Sequence, residues 1–176
     1  MSALSILYIV LPILAVSLCH ALEVVFTARR WASHHSASSD EAHQSLVNIL
    51  FRLSGMNMSA LVIAAVVGFL AVLLSTAALF AGGLWAELVW TTVFMAYSVC
   101  ALINLVRAVT LKGYVPGLVT SIISVPLIAY TAYSLSLVWP WWGMLLFAIL
   151  GLVLALANLY FAQRLGQRQT SKSTKN

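Results

Sequence analysis

The chain has 176 residues, of which 62% are hydrophobic and only thirteen are charged, nine basic and four acidic. Soluble domains carry roughly a quarter charged residues, so a charged fraction of 7% excludes that class. The net charge of +5 does not signal a nucleic-acid partner, because the basic residues stand at the ends of apolar runs and in a short tail, with no basic face or binding motif.

Residues 1–22, 53–86, 88–106 and 113–163 contain no Asp, Glu, Lys or Arg, giving runs of 22, 34, 19 and 51 residues. One helical crossing of the hydrocarbon layer takes about 20 apolar residues, so the first three runs hold one span each and the last holds two. The runs are continuous rather than alternating, and lipid admits only structures that pair their own backbone groups, which selects helices over a strand barrel. The expected fold is an all-α polytopic membrane bundle. Its single five-helix domain covers residues 1–164, with spans Leu4–Phe26, Asn57–Ala81, Leu84–Val106, Val115–Val138 and Trp141–Gln163, followed by a basic tail over 165–176.

Span one begins without a positively charged leader region and without a small-residue cleavage signal before Arg29, so it is expected to stay in the mature protein. It contains Pro12, a helix-interior proline that predicts a kink, as Pro126 does in span four. Near its end stand His20 and Glu23, three residues apart and therefore on one face within one turn. Residues Arg29 to Ser54 read as a loop that ends in an interfacial helix over about 40–53. There Ser38 and Glu41 have capping-box spacing, and Leu46, Val47, Ile49, Leu50 and Leu53 oppose Gln44, Ser45, Asn48 and Arg52. His34, His35, Asp40, Glu41 and His43 in this segment match no closed zinc spacing and read as a solvated loop.

In span two, Ala60, Ala64 and Gly68 form a stripe of small residues suited to close helix packing. Gly82-Gly83 connects it to span three, where Glu87 reads as an interfacial carboxylate and Asn104 and Arg107 repeat the three-residue spacing of His20 and Glu23. Opposite charge at matched depth predicts an ion pair between Glu23 and Arg107. The turn Lys112-Gly113-Tyr114-Val115-Pro116-Gly117 then places Pro116 at the start of span four, where its missing N–H is no loss, and Tyr114 at the interface. Trp139-Pro140-Trp141-Trp142 forms an interfacial aromatic turn, and Asn158 in span five is a helix-to-helix hydrogen-bonding device. Cys19 and Cys100 both lie in spans and read as reduced packing residues.

With five spans the termini lie on opposite sides. Placing the C-terminus in the cytoplasm puts Arg29, Arg30, Arg52, Arg107, Lys112, Arg164, Arg168, Lys172 and Lys175 all inside, with none in the outer connections. The expected location is therefore the cytoplasmic (inner) membrane, multi-pass, N-terminus outside.

Three polar features converge on the cytoplasmic end: His20 with Glu23, Asn104 with Arg107, and the turn carrying Tyr114. The residues His20-Ala21-Leu22-Glu23, with Phe26 and Trp31, and later Asn104 and Tyr114-Val115-Pro116-Gly117-Leu118-Val119-Thr120, resemble the HXXEE-domain family of small bacterial and archaeal membrane proteins over roughly residues 10–135. Val24 stands where that motif has its second Glu. The resemblance implies a name and a site rather than a reaction, and the missing carboxylate weakens a two-carboxylate or metal centre.

The functional expectation is a pocket near the cytoplasmic face that binds or acts on a lipid or an amphipathic small molecule. His20 would be its proton carrier or ligand, Glu23 the carboxylate partner, and Asn104, Arg107 and Tyr114 the ligand contacts. His20 and Glu23 are also the candidate holders of a divalent metal. The alternative is a non-enzymatic scaffold or complex subunit; a small transporter is less favoured, since no internal repeat is visible. Membrane lipids, a second copy or another membrane protein are the expected partners. No P-loop, nucleotide-binding glycine pattern, nucleophile elbow or HExxH is present.

Overall fold

The computed structural model describes residues 3–35, 58–110 and 112–173, and the expected interfacial helix over 40–53 lies outside them, as do Asp40, Glu41 and His43. All regular structure among the described residues is α-helical: α1 Ala3–His35, α2 Met58–Ala81, α3 Leu84–Thr110, α4 Leu118–Ser136 and α5 Trp141–Ser173. Each contains a stretch long and apolar enough to cross a membrane.

Two of the helices outrun their expected bounds. α1 and α5 each have 33 residues, or about 50 Å at 1.5 Å per residue, against a hydrocarbon layer of about 30 Å. The sequence beyond Phe26 and Gln163 was expected to leave the helix, yet Arg, Gln, Ala, Leu and Lys are good helix formers and carry the coil past the apolar stretch. α1 continues without interruption through Pro12, as α4 does through Pro126.

Burial is inverted relative to a soluble protein. Large aliphatics such as Leu74, Ile123 and Val153 face outward, while Ser17, Thr91, Asn104, Arg107, Ser121, Ser124 and Thr131 are buried. In lipid, helices gain nothing by hiding leucine from each other, so small and polar residues take the contact faces. Gly151 shows how close the approach is: a Cβ there would stand 2.7 Å from the Ala96 nitrogen and 2.7 Å from the Met95 Cβ. α5 thus packs backbone to backbone on α3. Gly151→Leu should force these helices apart and cost about 3 kcal/mol or more of stability, read as lost monodisperse yield and a lower denaturation midpoint in detergent.

Two apolar clusters close the bundle at its ends. Val10, Ile13, Val72, Trp90, Phe94 and Leu135 belong to the larger, with Trp90 and Phe94 stacked 5.6 Å apart. The smaller joins Val24, Ala60, Leu61, Ala64 and Ala162 at the other end, so the expected small-residue stripe on α2 does pack, against α1 and α5. Asn158 crosses from α5 to α2 as expected, its Nδ2 donating to the Ala64 carbonyl at 3.0 Å. α4 is attached differently: it lies against α1 and α3 and barely meets α5.

The connection from α3 to α4 is built tightly. The Gly113 N–H donates to the Ala108 carbonyl and the Lys112 N–H to the Val109 carbonyl, the Schellman pattern of a helix end, with Lys112 in the left-handed position at φ 47°. Glycine holds that conformation without a Cβ penalty, so Lys112→Gly is expected to raise stability by about 0.5–1 kcal/mol, measured as an upward shift in denaturation midpoint.

Candidate functional site

Pro116 is not the first residue of α4, as the sequence suggested. Val115 to Leu118 form a tight turn closed by the Leu118 N–H on the Val115 carbonyl at 3.0 Å. Gly117 takes φ 87° and ψ 4°, the conformation of the third residue of a type II turn, with proline before it. Gly117 is also the N-cap of α4 and supplies no side-chain cap. The first-turn N–H groups of α4 therefore need an acceptor from elsewhere.

Glu23 on α1 is that acceptor. Its Oε1 accepts from the Val119 N–H at 3.1 Å and from the Tyr114 hydroxyl at 2.7 Å. Its Oε2 accepts from the Thr120 N–H at 2.8 Å and from the Thr120 hydroxyl at 2.6 Å. Val119 and Thr120 are the second and third residues of the helix, the two whose N–H groups a capping side chain normally satisfies. A carboxylate there also meets the positive end of the helix dipole. Glu23 caps α4 in trans.

This arrangement corrects the expected ion pair. Glu23 is held by the turn and the start of α4, and Arg107 is not among its partners. Arg107 is instead buried in the interior of the bundle, 9% exposed. Hydrogen-bond donors outcompeted the guanidinium because four of them converge on the carboxylate, three from the first turn of α4 and one from Tyr114 in the turn before it.

His20 is joined to the same cap. Its Nδ1 lies 2.9 Å from the Thr120 Oγ1. The Thr120 hydroxyl has one proton, and it also lies 3.2 Å from the Gly117 carbonyl; the shorter bond to the carboxylate takes the proton because charge-assisted bonds are the stronger. Thr120 is then an acceptor toward His20, so Nδ1 carries the hydrogen and, in the neutral ring, Nε2 carries the lone pair. The imidazole packs directly against the turn: a Cβ at Gly117 would stand 2.4 Å from its Cε1. On its other side the ring meets Tyr97 edge to face at 6.2 Å.

α4 carries a further ladder of hydroxyls on the buried face. Ser121 donates to the Gly117 carbonyl at 2.6 Å and accepts from Asn104 Nδ2 at 3.4 Å. Ser124 donates to the Thr120 carbonyl, so the Tyr97 hydroxyl, 2.9 Å away, is the donor to Ser124. Thr120, Ser121 and Ser124 were not singled out as site residues from sequence, although hydroxyls at positions i, i+1 and i+4 share one helix face and mark it as polar. Tyr97 offered no comparable signal.

Of the expected site residues, the structure joins His20, Glu23 and Tyr114 around the cap and places Asn104 beside it. Tyr114 is half-exposed at the end of the bundle; burial pushes its phenol above the ordinary value, and the Glu23 carboxylate acts in the same direction. Its neutral form is thus favoured by the fold, and the stability it contributes is complete below the ordinary phenol range near 10 and lost as pH rises through the raised value. A wild-type minus Tyr114→Phe ultraviolet titration should show one phenol ionising later than a free tyrosine. Cys19 and Cys100 are free thiols, but Cys19 faces outward rather than into a packed interface.

Behind the cap lies a partly open cavity of about 170 Å³ bordered by α1, α2, α3, α5 and Pro116 of the turn before α4. Its walls are mainly Leu, Val and Ala, and its polar members are Ser17, His20, Tyr97, Cys100, Asn104, Arg107 and Asn158. It sits between the two apolar clusters, sharing Val72 and Val93 with one and Val24 and Leu61 with the other. Glu23 does not line it, so His20 and Glu23 serve different spaces: the carboxylate fastens α4 and the imidazole borders the cavity. Among the described residues, no group of three or more His, Cys, Asp or Glu side chains converges as metal ligands would.

A family model described as "Protein of unknown function with HXXEE motif" matches residues 11–131. No curated protein and no solved structure matches the chain.

Proposed function

The chain belongs to the HXXEE family, and on that footing we propose that it binds an amphipathic small molecule or a lipid chain within its transmembrane bundle. The observation that carries this reading is the cavity of about 170 Å³, apolar along its walls and polar where His20, Asn104 and Arg107 meet. Binding sites in helical membrane proteins combine an apolar body with a few convergent polar groups, and an ionisable side chain inside a span is costly enough to need a purpose. Glu23 acts as a positioning residue, holding Thr120 so that Thr120 fixes the His20 ring. We further propose that the end of the bundle bearing Arg29, Arg30, Arg107, Lys112 and Arg164 faces the cytoplasm, by the bias of basic residues toward that side.

The test is to purify the protein in nanodiscs, extract with organic solvent and compare retained molecules by mass spectrometry with those of Ala65→Phe, which fills the cavity from α2. A defined molecule retained by the wild type and lost from a folded Ala65→Phe supports the reading. The same molecules in both would overturn it.

One observation favours a second reading, a scaffold or subunit of a larger complex: Glu23, Asn104, Tyr97 and Asn158 all make helix-to-helix hydrogen bonds. Under it the polar groups only fasten helices, His20→Asn is tolerated, and the protein co-purifies with a partner in place of a small molecule.

A further inference from the structure

Resting on the pocket reading above, we infer that the cavity takes a single-chain amphipath with a hydroxyl head group, and that Thr120, held by Glu23, sets this choice by fixing which nitrogen of His20 bears the hydrogen. Size comes first. A cavity of about 170 Å³ is close to the roughly 150 Å³ engineered protein cavity that accommodates benzene. It is too small for a two-chain lipid and suits a head group with a few methylenes.

The head group follows from where the polar hydrogens of the wall go. Ser17, His20 and Tyr97 line the cavity, and each, with the imidazole neutral, brings one polar hydrogen. Ser17 donates its hydrogen to the Leu14 carbonyl at 2.8 Å. Tyr97 donates to Ser124, 2.9 Å away, since the Ser124 hydrogen goes to the Thr120 carbonyl. His20 donates from Nδ1 to Thr120, 2.9 Å away, because the Thr120 hydrogen goes to the Glu23 carboxylate at 2.6 Å. All three are left with lone pairs alone. Ser17 and His20, three residues apart, share a face of α1, and the Tyr97 ring stands 6.2 Å from the imidazole.

The acceptor that a ligand reaches among them is Nε2. The Nδ1–Cε1 edge of the ring lies on the turn, with Nδ1 on the Thr120 hydroxyl and Cε1 against Gly117. The edge carrying Nε2 and Cδ2 is what remains to border the cavity. Nε2 has no hydrogen-bond partner among the described residues, yet it is not one of their sealed polar atoms that lack one, so it opens onto space.

An acceptor kept from water without a donor is costly, and the O–H of a ligand removes that cost. An ammonium group would donate as well, but it must give up a far larger hydration energy to enter apolar surroundings. Water would supply the hydrogen and leave the Leu, Val and Ala of the wall uncovered, whereas an alkyl chain buries them. Arg107 has an interaction of its own within the chain and supplies nothing to this choice. Val67 on α2 and Leu154 on α5 line the cavity and are 45% and 41% exposed. The alkyl tail can therefore lie between these two helices, toward the surrounding lipid, with the hydroxyl at His20.

The probes are 1-octanol and octyl methyl ether, which share the chain and the oxygen and differ in the O–H. Each is carbon-13 labelled at the chain carbon bonded to oxygen and titrated into nanodisc-embedded protein with empty nanodiscs subtracted. Octanol should bind at least about fivefold more tightly, the order of one hydrogen bond to an otherwise unpaired acceptor. His20→Phe keeps an aromatic ring without the lone pair and should bind the two alike. Thr120→Val lets the hydrogen move to Nε2 and should lose the preference, while Thr120→Ser should keep it. Nitrogen-15 spectra of a chain with His34, His35 and His43 replaced by Gln, in which His20 is the one imidazole, should show the hydrogen on Nδ1. Equal binding of the two probes by the wild type, a hydrogen on Nε2, or a His20→Phe or Thr120→Val variant that keeps the preference overturns the hydroxyl assignment and leaves the pocket standing. Failure of both probes to exceed empty nanodiscs overturns the pocket reading itself. Ether binding by each variant shows that its cavity persists, and where a variant fails to fold the wild-type ratio and the nitrogen-15 spectra still decide.

Discussion

Glu23→Ala is expected to cost about 2–4 kcal/mol, more than a typical helix cap, because it withdraws a charged acceptor from four donors at once. Those donors are the Val119 and Thr120 N–H groups and the Tyr114 and Thr120 hydroxyls. The hydroxyls can rotate to other acceptors; Thr120 has the Gly117 carbonyl at 3.2 Å. The two N–H groups cannot. Glu23→Gln should fall between wild type and alanine. Its amide oxygen can keep the Val119 and Tyr114 bonds, and its NH2 can donate to the Thr120 hydroxyl, but the same NH2 then faces the Thr120 N–H, donor against donor.

The consequence reaches beyond stability. α4 is tied to the rest of the bundle largely through this end and through the Tyr97 and Asn104 hydrogen bonds, with little contact to α5. Loss of the cap should therefore loosen α4 before the rest. Hydrogen exchange of Glu23→Ala in nanodiscs should show faster exchange at Val119–Ser121 with α2 and α5 unchanged. Uniform loosening of all helices, or none, would contradict the trans-cap assignment.

The five crossings were legible in the sequence because charge-free length is a direct consequence of the bilayer's thickness. The convergence of His20, Glu23, Asn104 and the turn at Tyr114 was legible for a related reason: helices that alternate direction bring those positions to one end. What could not be read was pairing within that end. Glu23 and Arg107 have opposite charge and matched depth, and on those grounds they belong together. Yet a helix start needs acceptors for its own N–H groups, and a Gly117 cap with no side chain left that need for α1 to meet. The hint was present in Pro116-Gly117, which reads as a turn with its cap missing. The cavity was less legible still, since it arises from four helices and from small side chains whose effect depends on packing. The outer bounds of α1 and α5 were misjudged because apolar length measures the membrane, while helix length also follows propensity in water.

Gly117→Ala carries the second large effect, and it has two separable causes. The first is backbone: φ 87° is a left-handed conformation, which costs an alanine about 1–2 kcal/mol relative to glycine. The second is the imidazole, whose Cε1 would lie 2.4 Å from the new methyl carbon. The ring has no easy retreat, with Thr120 holding Nδ1 and Tyr97 against its edge. Together they should cost about 2–4 kcal/mol. Removing the ring isolates the second cause. In the His20→Ala background the two shortest contacts are gone and Asn104 Nδ2, 3.1 Å from the methyl carbon, is the tight neighbour that remains, so Gly117→Ala should then cost little beyond its backbone share, and the double-mutant cycle should show at least about 1 kcal/mol of favourable coupling. Additive costs would mean that the imidazole does not rest on the turn. A coupled cycle would establish that the absence of a side chain at Gly117 is what lets the His20 imidazole lie against the turn, with Nδ1 on the Thr120 hydroxyl at the cap of α4.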